Sequence, residues 1–427
     1  MKLLIVSLNY KPELVGVGKF SAELAEWFAA NGHKVRVICG PPHFPEWSVR
    51  AGYSPWRFSD QDVGGVHVFR VPVWIPRKPT GLARLVHLGS FGVSVLAACV
   101  AQMRWSPDVV LMMEPTLAAV PAGILLSRAT GAAAWLHVQD LEIDAALKLG
   151  LLPSLLGSAA SKLERALMKQ CALITSISEA MLDKILAKGV APDRTGLLSN
   201  WVDTLGIDSS SPALDLRPWL GCEPLAGLVL YSGSIGTKQG IDTLADALAL
   251  LPPSMSVHTA VCSEGPMAEA FRKRCCDAGL SSVTFLPLQP AEVFVRMLTS
   301  PDVHVLLEES GAADLVMPSK LGGMLASGRP VVAVVSRCGS VARLLSEIQC
   351  GVRAEPGDAQ GIADAILHVL ANPRMADEMG RRGRAYAEEH LDRRVVLERA
   401  ASLLEHVRRS ERRRAGPRRV GARGKSA

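Results

Sequence analysis

Three glycine-containing loops carry the residues best suited to chemistry in this 427-residue chain. The first is Gly16-Val17-Gly18-Lys19. The second is Gly233-Ser234-Ile235-Gly236-Thr237-Lys238-Gln239-Gly240. The third covers residues 311–320 and ends in Val316-Met317-Pro318-Ser319-Lys320. Glycine lets a ligand approach the backbone closely, and free N–H groups at a helix start favour an anion. Lysine adds a point charge suited to phosphate. The chemistry suggested is the holding of a phosphorylated ligand, with Lys238 placed for a diphosphate. The spacing GxxxxGK[ST] is absent, which argues against an ATPase or kinase loop. Gly16 and Gly18 lack the third glycine of a dinucleotide site, and no convincing ribose-binding acid follows the second strand. The sequence shows no nucleophile triad. Its nine cysteines are scattered without metal-ligand spacing, so a reducing compartment with neither zinc nor a disulfide framework is expected.

These loops need strands and helices to position them. Residues 2–9 (KLLIVSLN) form an apolar run, residues 20–33 have helical spacing, and residues 34–39 (KVRVIC) form a second β-branched run. Strand, glycine loop, helix and strand make one βαβ unit. Strand-like runs recur at 66–71, 108–112, 133–137, 173–176 and 196–199, with a helix at 179–188. Residues 204–216 lack periodicity and read as a linker. The pattern then restarts, with strands at 228–232, 256–261, 283–286, 303–307 and 330–334 and a helix at 241–251. In the third loop Ser319 reads as an N-cap and Pro318 presets the turn. Gly322 and Gly323 leave that helix face bare, which invites a ligand. The expected architecture is α/β, two Rossmann-like doubly wound domains facing a central cleft where ligands sit. The expected boundaries are 1–205 for the N-terminal domain and 206–375 for the C-terminal one. Closing helices over 376–408 would cross back to the first domain, followed by a basic, disordered tail at 409–427.

Composition agrees with a globular protein: 48% hydrophobic and 21% charged residues. The first apolar run is too short for a signal peptide and belongs to a strand. The net charge of +6 is concentrated at residues 408–425, where Glu411 is the single acid. That tail reads either as a solvated extension or as an anchor to anionic lipid. Residues 80–103 have a long apolar centre punctuated by glycine and serine, against a spanning helix. A buried core helix and a helix lying in a membrane interface, with Arg77, Lys78 and Arg84 at its polar edge, both remain open.

The ordered set NYKPELVGVGKFSAELAEWFAANGHKVRVICGPPHFPEW, HVQDLEID, SISEAM, SNWVD, YSGSIGTKQGID, ADLVMPSKLGGMLASGRPVVA and GVRAEPGD resembles the retaining GT-B glycosyltransferases of family 4. The subgroup it is most similar to is the bacterial exopolysaccharide type, colanic-acid fucosyltransferases and O-antigen aminosugar transferases among them. The resemblance covers about residues 1–400. It implies a hexosyltransferase that takes a sugar from a UDP- or GDP-sugar, with retention, to a lipid-diphosphate-linked saccharide at the inner face of a bacterial plasma membrane. It implies donor contacts from Gly16, Gly18, Lys19, Asn200, Ser234, Lys238 and the turn at residues 316–320, that is Val316, Met317, Pro318, Ser319 and Lys320, through the N–H groups that all of these but Pro318 carry. His137 would hydrogen-bond a sugar hydroxyl, and Asp140 would support the oxocarbenium-like centre or orient the acceptor. The loop at residues 10–13 would face the acceptor. No cofactor, metal or nucleic acid is implied.

The chain departs from the broad family in three places. Gly323 stands where the second Glu of an E-x7-E pair binds ribose, and Asp314 only loosely replaces the first. Ser234 stands where an arginine often assists the diphosphate. Ser263-Glu264-Gly265 replaces a GxG turn. Two other readings stand beside this one: a sugar-nucleotide epimerase of the same two-domain plan, in which a carboxylate and a histidine would cleave and re-add at one sugar, and, from the missing Glu pair, an inactive membrane-associated scaffold.

Overall fold

The computed structural model describes all residues except 14–15, 149–153, 208–213, 236–239, 253, 309–317 and 416–427. The chain forms two compact units. The first comprises Met1–Ile177, Leu182–Leu198 and the chain from Leu397 onward; the second comprises Ser178–Met181 and Ser199–Val396.

The first unit is built on eight strands: β1 Lys2–Val6, β2 Lys34–Cys39, β3 Ser59–Val63, β4 Val66–Arg70, β5 Val109–Glu114, β6 Ala133–Val138, β7 Leu173–Ser176 and β8 Thr195–Leu197. They lie in the order β3-β4-β2-β1-β5-β6-β7-β8. All pairs are parallel except β3–β4. Val6 pairs with Ile38 on one side and Met112 on the other. Strands β5 and β6 are buried along their whole length, which explains their continuous apolar runs: a parallel sheet covered on both faces has no solvent side to alternate with. Helix Gly16–Ala30 packs Phe20, Leu24 and Phe28 inward. The polar edge strand β3 (SDQDV) escapes a search for apolar runs, although Gly64-Gly65, both at positive φ, mark its hairpin turn.

The second unit has six parallel strands: β9 Gly227–Ser232, β10 Val257–Cys262, β11 Val283–Leu286, β12 Val303–Leu307, β13 Val331–Val334 and β14 Gly351–Ala354. Their order is β11-β10-β9-β12-β13-β14. Both sheets therefore reverse strand order beside their first strand, at β1/β5 and at β9/β12. In open α/β sheets ligands bind at the strand C-termini at this switch.

The change of unit falls at Ser199 rather than at residue 206. The segment after β8 is tied into the second unit by backbone pairing: Val202 N–H donates to Leu391 O, and Arg393 N–H to Val202 O, both at 2.9 Å. Arg384 adds a hydrogen bond to Thr204 O at 3.0 Å. The closing segment is helix Pro373–Tyr386, a π-turn over Ala387–Leu391 and helix Arg393–Ala415. That last helix begins in the second unit and passes into the first at Leu397, where Leu397, Ala400, Leu404 and Val407 are buried. The basic tail beyond residue 415 lies outside the described residues.

Residues 81–102 form one helix, Gly81–Gln102. It is the one described helix long and apolar enough to cross a bilayer. One face, with His87, Phe91, Val95 and Cys99, is buried; the opposite face, with Leu82, Val93 and Val100, is exposed. The helix is thus half core element and half bare surface.

Candidate active site

In the second unit the C-terminal end of β9 and the start of helix Ser319–Ala326 converge on one lysine. Lys320 Nζ donates to the Tyr231 hydroxyl at 3.3 Å and sits 4.4 Å from the centre of its ring. The Tyr231 hydroxyl donates in turn to Ser234 O at 3.1 Å. Gly233 has φ +117, and a Cβ there would lie 3.4 Å from Lys320 Cδ and 3.8 Å from Nζ. The loop therefore passes directly against the lysine. Burial pulls the Lys320 pKa down to about 8, opposed by the Glu308 carboxylate that follows β12. Among the described residues its hydrogen-bond acceptor is a neutral phenol. A poorly solvated ammonium whose described hydrogen-bond acceptor is neutral is suited to bind an anion.

Several expectations are corrected at this helix. Ser319 is its first residue, exposed; Pro318 is the boundary residue, and no side chain caps the helix. Proline at φ −59 fixes the entry and Leu321 N–H closes back on Pro318 O at 3.0 Å, which takes the place of a serine cap. The bare glycines serve packing within the unit: a Cβ on Gly322 would meet Val202 at 3.7 Å, and one on Gly323 would meet Leu298 at 3.3 Å. Ser234 is exposed. Asn200 is half-buried with its Oδ1 buried and unpartnered. Lys238, Val316 and Met317 lie outside the described residues.

In the first unit, His137 on β6 is 2% exposed. Its Nδ1 lies 2.9 Å from Thr175 Oγ1, which accepts from Trp135 Nε1 at 2.8 Å. The hydroxyl proton of Thr175 is matched by Nδ1 as acceptor, which leaves the ring proton on Nε2. Burial pushes the His137 pKa down to about 3, so the ring is neutral. Asp140 is half-buried in the turn after β6, just before helix Glu142–Lys148.

Around that turn lies a set of acids that spacing did not single out. Glu114, the last residue of β5, is fully buried with both carboxyl oxygens unpartnered. Burial, and then the charge of Glu142, holds its pKa well above the ordinary carboxylate range. Burial likewise raises Glu142 to about 7; it accepts from Leu117 N–H at 3.2 Å. Asp140 adds to both shifts. Lys188 bridges Glu164 and Asp144, the latter at 3.0 Å. An acid closing an otherwise apolar strand (VVLMME) was the available signal for Glu114.

The glycine loop after β1 is organised by Glu13. It is 1% exposed, and its Oε1 accepts from His43 N–H at 2.6 Å and Phe44 N–H at 2.7 Å. Its Oε2 accepts from Asn9 Nδ2 at 2.9 Å. Tyr10 is also buried. The side chains of Tyr10 and Glu13 therefore turn inward, while Lys11 and Pro12 of the same loop are part-exposed. Gly18 is explained by packing, since a Cβ there would meet Glu13 Cβ at 3.2 Å and Asn9 Cβ at 3.4 Å. Gly16 is open, with φ +55 and nothing within 4 Å of a Cβ. Lys19 lies 4.0 Å from Glu23, its side chain 42% exposed.

Two doubly wound units of this strand order, with polar groups gathered at strand C-termini, define the GT-B architecture, and the chain belongs to the glycosyltransferases that share it. Residues 15–201 match the Glycosyl transferase 4-like domain and residues 226–372 the Glycosyl transferases group 1 domain. The chain is 35% identical over 404 residues to the putative colanic acid biosynthesis glycosyl transferase WcaI of Escherichia coli (strain K12), covering 93% of this chain and 98% of that protein. Among solved structures, Anabaena HepE in complex with UDP-glucose matches with a TM-score of 0.69 at 17% identity, covering 95% of this chain and all of the other. WaaG, a glycosyltransferase involved in lipopolysaccharide biosynthesis, matches at 0.65 and 16%, covering 94% and 99%. At these identities the two structures share the fold.

Proposed function

We propose that this glycosyltransferase moves a sugar from a UDP- or GDP-sugar, with retention, onto a lipid-diphosphate-linked saccharide during bacterial exopolysaccharide or O-antigen assembly at the inner face of the plasma membrane. The observation that carries the reading is Lys320, an ammonium held over Tyr231 against the Gly233 turn at the end of β9. A donor diphosphate gains charge as the glycosidic bond breaks, and a preorganised cation there acts most strongly in the transition state, at roughly 3 kcal/mol per donor. Ser234 leaves the usual arginine position empty of charge, and Lys320 supplies the charge from the neighbouring helix. Lys238, the backbone N–H groups of Val316, Met317 and Ser319, and Asn200 complete the donor set of the second unit.

In the first unit Gly16 and Lys19 are assigned to the donor by the same reading, whereas Gly18 packs against Glu13 and Asn9. His137, neutral and donating from Nε2, is assigned to a sugar hydroxyl. Asp140 is assigned to the oxocarbenium-like centre or the acceptor. Because lysines and amides carry the neutralisation, the reading uses no metal or cofactor, and chelator-treated enzyme should keep its turnover. The relationship to WcaI supports the exopolysaccharide setting.

The test has two steps. UDP, GDP and their sugars are screened by thermal shift, where a ligand at 100 times its Kd adds about 2.7 kcal/mol of apparent stability. The sugar nucleotide that stabilises is then incubated with a membrane lipid extract, and label is followed into the lipid fraction. Label in lipid with the donor's anomeric configuration is expected. An epimer formed from the donor alone, or no turnover of any donor, overturns the reading.

A further inference from the structure

Among the described residues of the first unit nothing covers the exposed face of helix Gly81–Gln102, yet nearly every exposed residue on it is apolar. Leu82, Val86, Val93, Leu96 and Val100 form a stripe along it, and from residue 85 to 101 each exposed position is apolar or glycine. Arg77, Lys78, Arg84 and Arg104 are exposed at its two ends. Residues 63–107 contain no aspartate or glutamate. Two exposed indoles lie beside the N-terminal half. Trp74 is held there by its N–H to Ser90 Oγ at 3.0 Å and by its carbonyl to His87 Nδ1 at 2.7 Å. Trp56 is brought alongside by the hydrogen bond from Val73 N–H to Pro55 O. Trp56 is 70% exposed.

We infer that this face is a lipid-contacting surface that lays the first unit on an anionic bilayer, with the helix in the plane of the interface. Apolar residues, interfacial tryptophans and flanking cations form the combination that binds acidic lipid surfaces.

The opposite face rules out a spanning orientation. His87, Phe91, Val95 and Cys99 are core residues, and Gln102 accepts from Arg36 at 2.8 Å. A Cβ on Gly92 would lie 2.5 Å from Ala118 O, so the helix is pressed onto the unit's backbone. Crossing a membrane would strip these contacts. The stripe also has coiled-coil spacing, which could suit a second copy. Its flanks at Leu85, Ala97 and Ala101, however, offer no charges to set a partner's register, while the cations cluster at the ends. The charge pattern therefore favours lipid.

The inference stands apart from the donor reading, and its test uses no nucleotide. The full chain is sedimented with phosphatidylcholine vesicles, with and without phosphatidylglycerol, beside the double variant Val93→Glu/Leu96→Glu. Wild type should partition onto the phosphatidylglycerol vesicles. The variant, with an unchanged melting temperature, should partition at least about tenfold less. Brominated lipid should quench wild-type tryptophan emission, and Trp56→Phe should remove part of that quenching. Wild type that stays in the supernatant, or a variant that partitions like wild type, overturns the proposal. So does a wild-type dimer that the variant splits without any vesicle binding, which would assign the face to a second copy.

Discussion

Replacing Lys320 with methionine keeps the side chain's length over Tyr231 and removes its charge. Among the described residues the ammonium donates to one acceptor, a phenol at 3.3 Å, so little stability depends on that bond. A diphosphate oxygen at hydrogen-bond distance would instead receive a charge-assisted bond, worth about 1.5–3 kcal/mol in binding. Lys320→Met should therefore weaken UDP or GDP binding by about 10–150-fold. Turnover should fall by on the order of 10² if the interaction strengthens in the transition state. The pH dependence gives a second handle. Because burial places the free amine near 8, and a bound diphosphate would raise it, binding takes up a proton above that pH. Affinity should then be full below pH 8 and decline by up to about tenfold per pH unit above it. Tyr231 and Glu308 face the amine; the pKa of Tyr231 is raised by burial, so it stays neutral in this window. Calorimetric titration of UDP and GDP from pH 7 to 9.5 reads both effects. Lys320→Met should bind weakly and flatly across the range, and adding Ser234→Arg should restore part of the affinity from the other side of the turn. Wild-type-like binding by Lys320→Met, with the same pH slope, would refute the assignment.

Four further outcomes follow. Thr175→Val removes the oxygen shared by Trp135 and His137, leaving up to two buried groups unpaired; it should cost about 2–4 kcal/mol in urea unfolding. Lys188→Met strands the buried Glu164 carboxylate and should destabilise by about 3–5 kcal/mol, with Glu164→Gln recovering much of this in the double variant. Burial raises both Glu114 and Glu142 in the folded state, so their contribution to stability is full below the ordinary carboxylate range and is lost as pH rises toward the folded pKa, about 7 for Glu142. Glu142→Gln should accordingly flatten the stability profile between pH 5 and 8, read by thermal melting at each pH. Gly18→Ala must push against Glu13 and Asn9 and should cost about 1–3 kcal/mol, while keeping nucleotide affinity if the glycine serves packing alone.

The two sheets were legible because strands of a covered parallel sheet are rich in apolar and β-branched residues; β7 and β12 are buried along their whole length, and these two, with β2 and β11, begin and end where the sequence runs do. Strand β3 was not legible, because an edge strand facing solvent is polar and its hairpin turn was the only mark it left. The site was legible only in outline. The glycine loops announced themselves, but what each glycine does depends on neighbours far along the chain. Gly322 serves Val202 and Leu391, and Gly323 serves Leu298. Lys320 read as an amide donor because nothing local shows that its amine reaches Tyr231, 89 residues earlier. Glu114 and Thr175 carry no motif; burial and cross-strand partners make them unusual, and neither is written in spacing.

The helix Arg393–Ala415 imposes an order on biosynthesis. The first unit's last strand ends at Leu197, yet the unit remains open until Leu404 and Val407 exist to cover it. Gly196, on that strand, has Leu403 as its neighbour, 3.2 Å from where a Cβ would stand. About 200 residues, the whole of the second unit, must be translated between the two, which takes roughly 10–40 s at ordinary elongation rates. The half of the enzyme made first is thus the half completed last. During that interval its uncovered surface is a natural client for chaperones, and a nonsense mutation near residue 397 would injure the N-terminal unit while sparing the unit encoded beside it.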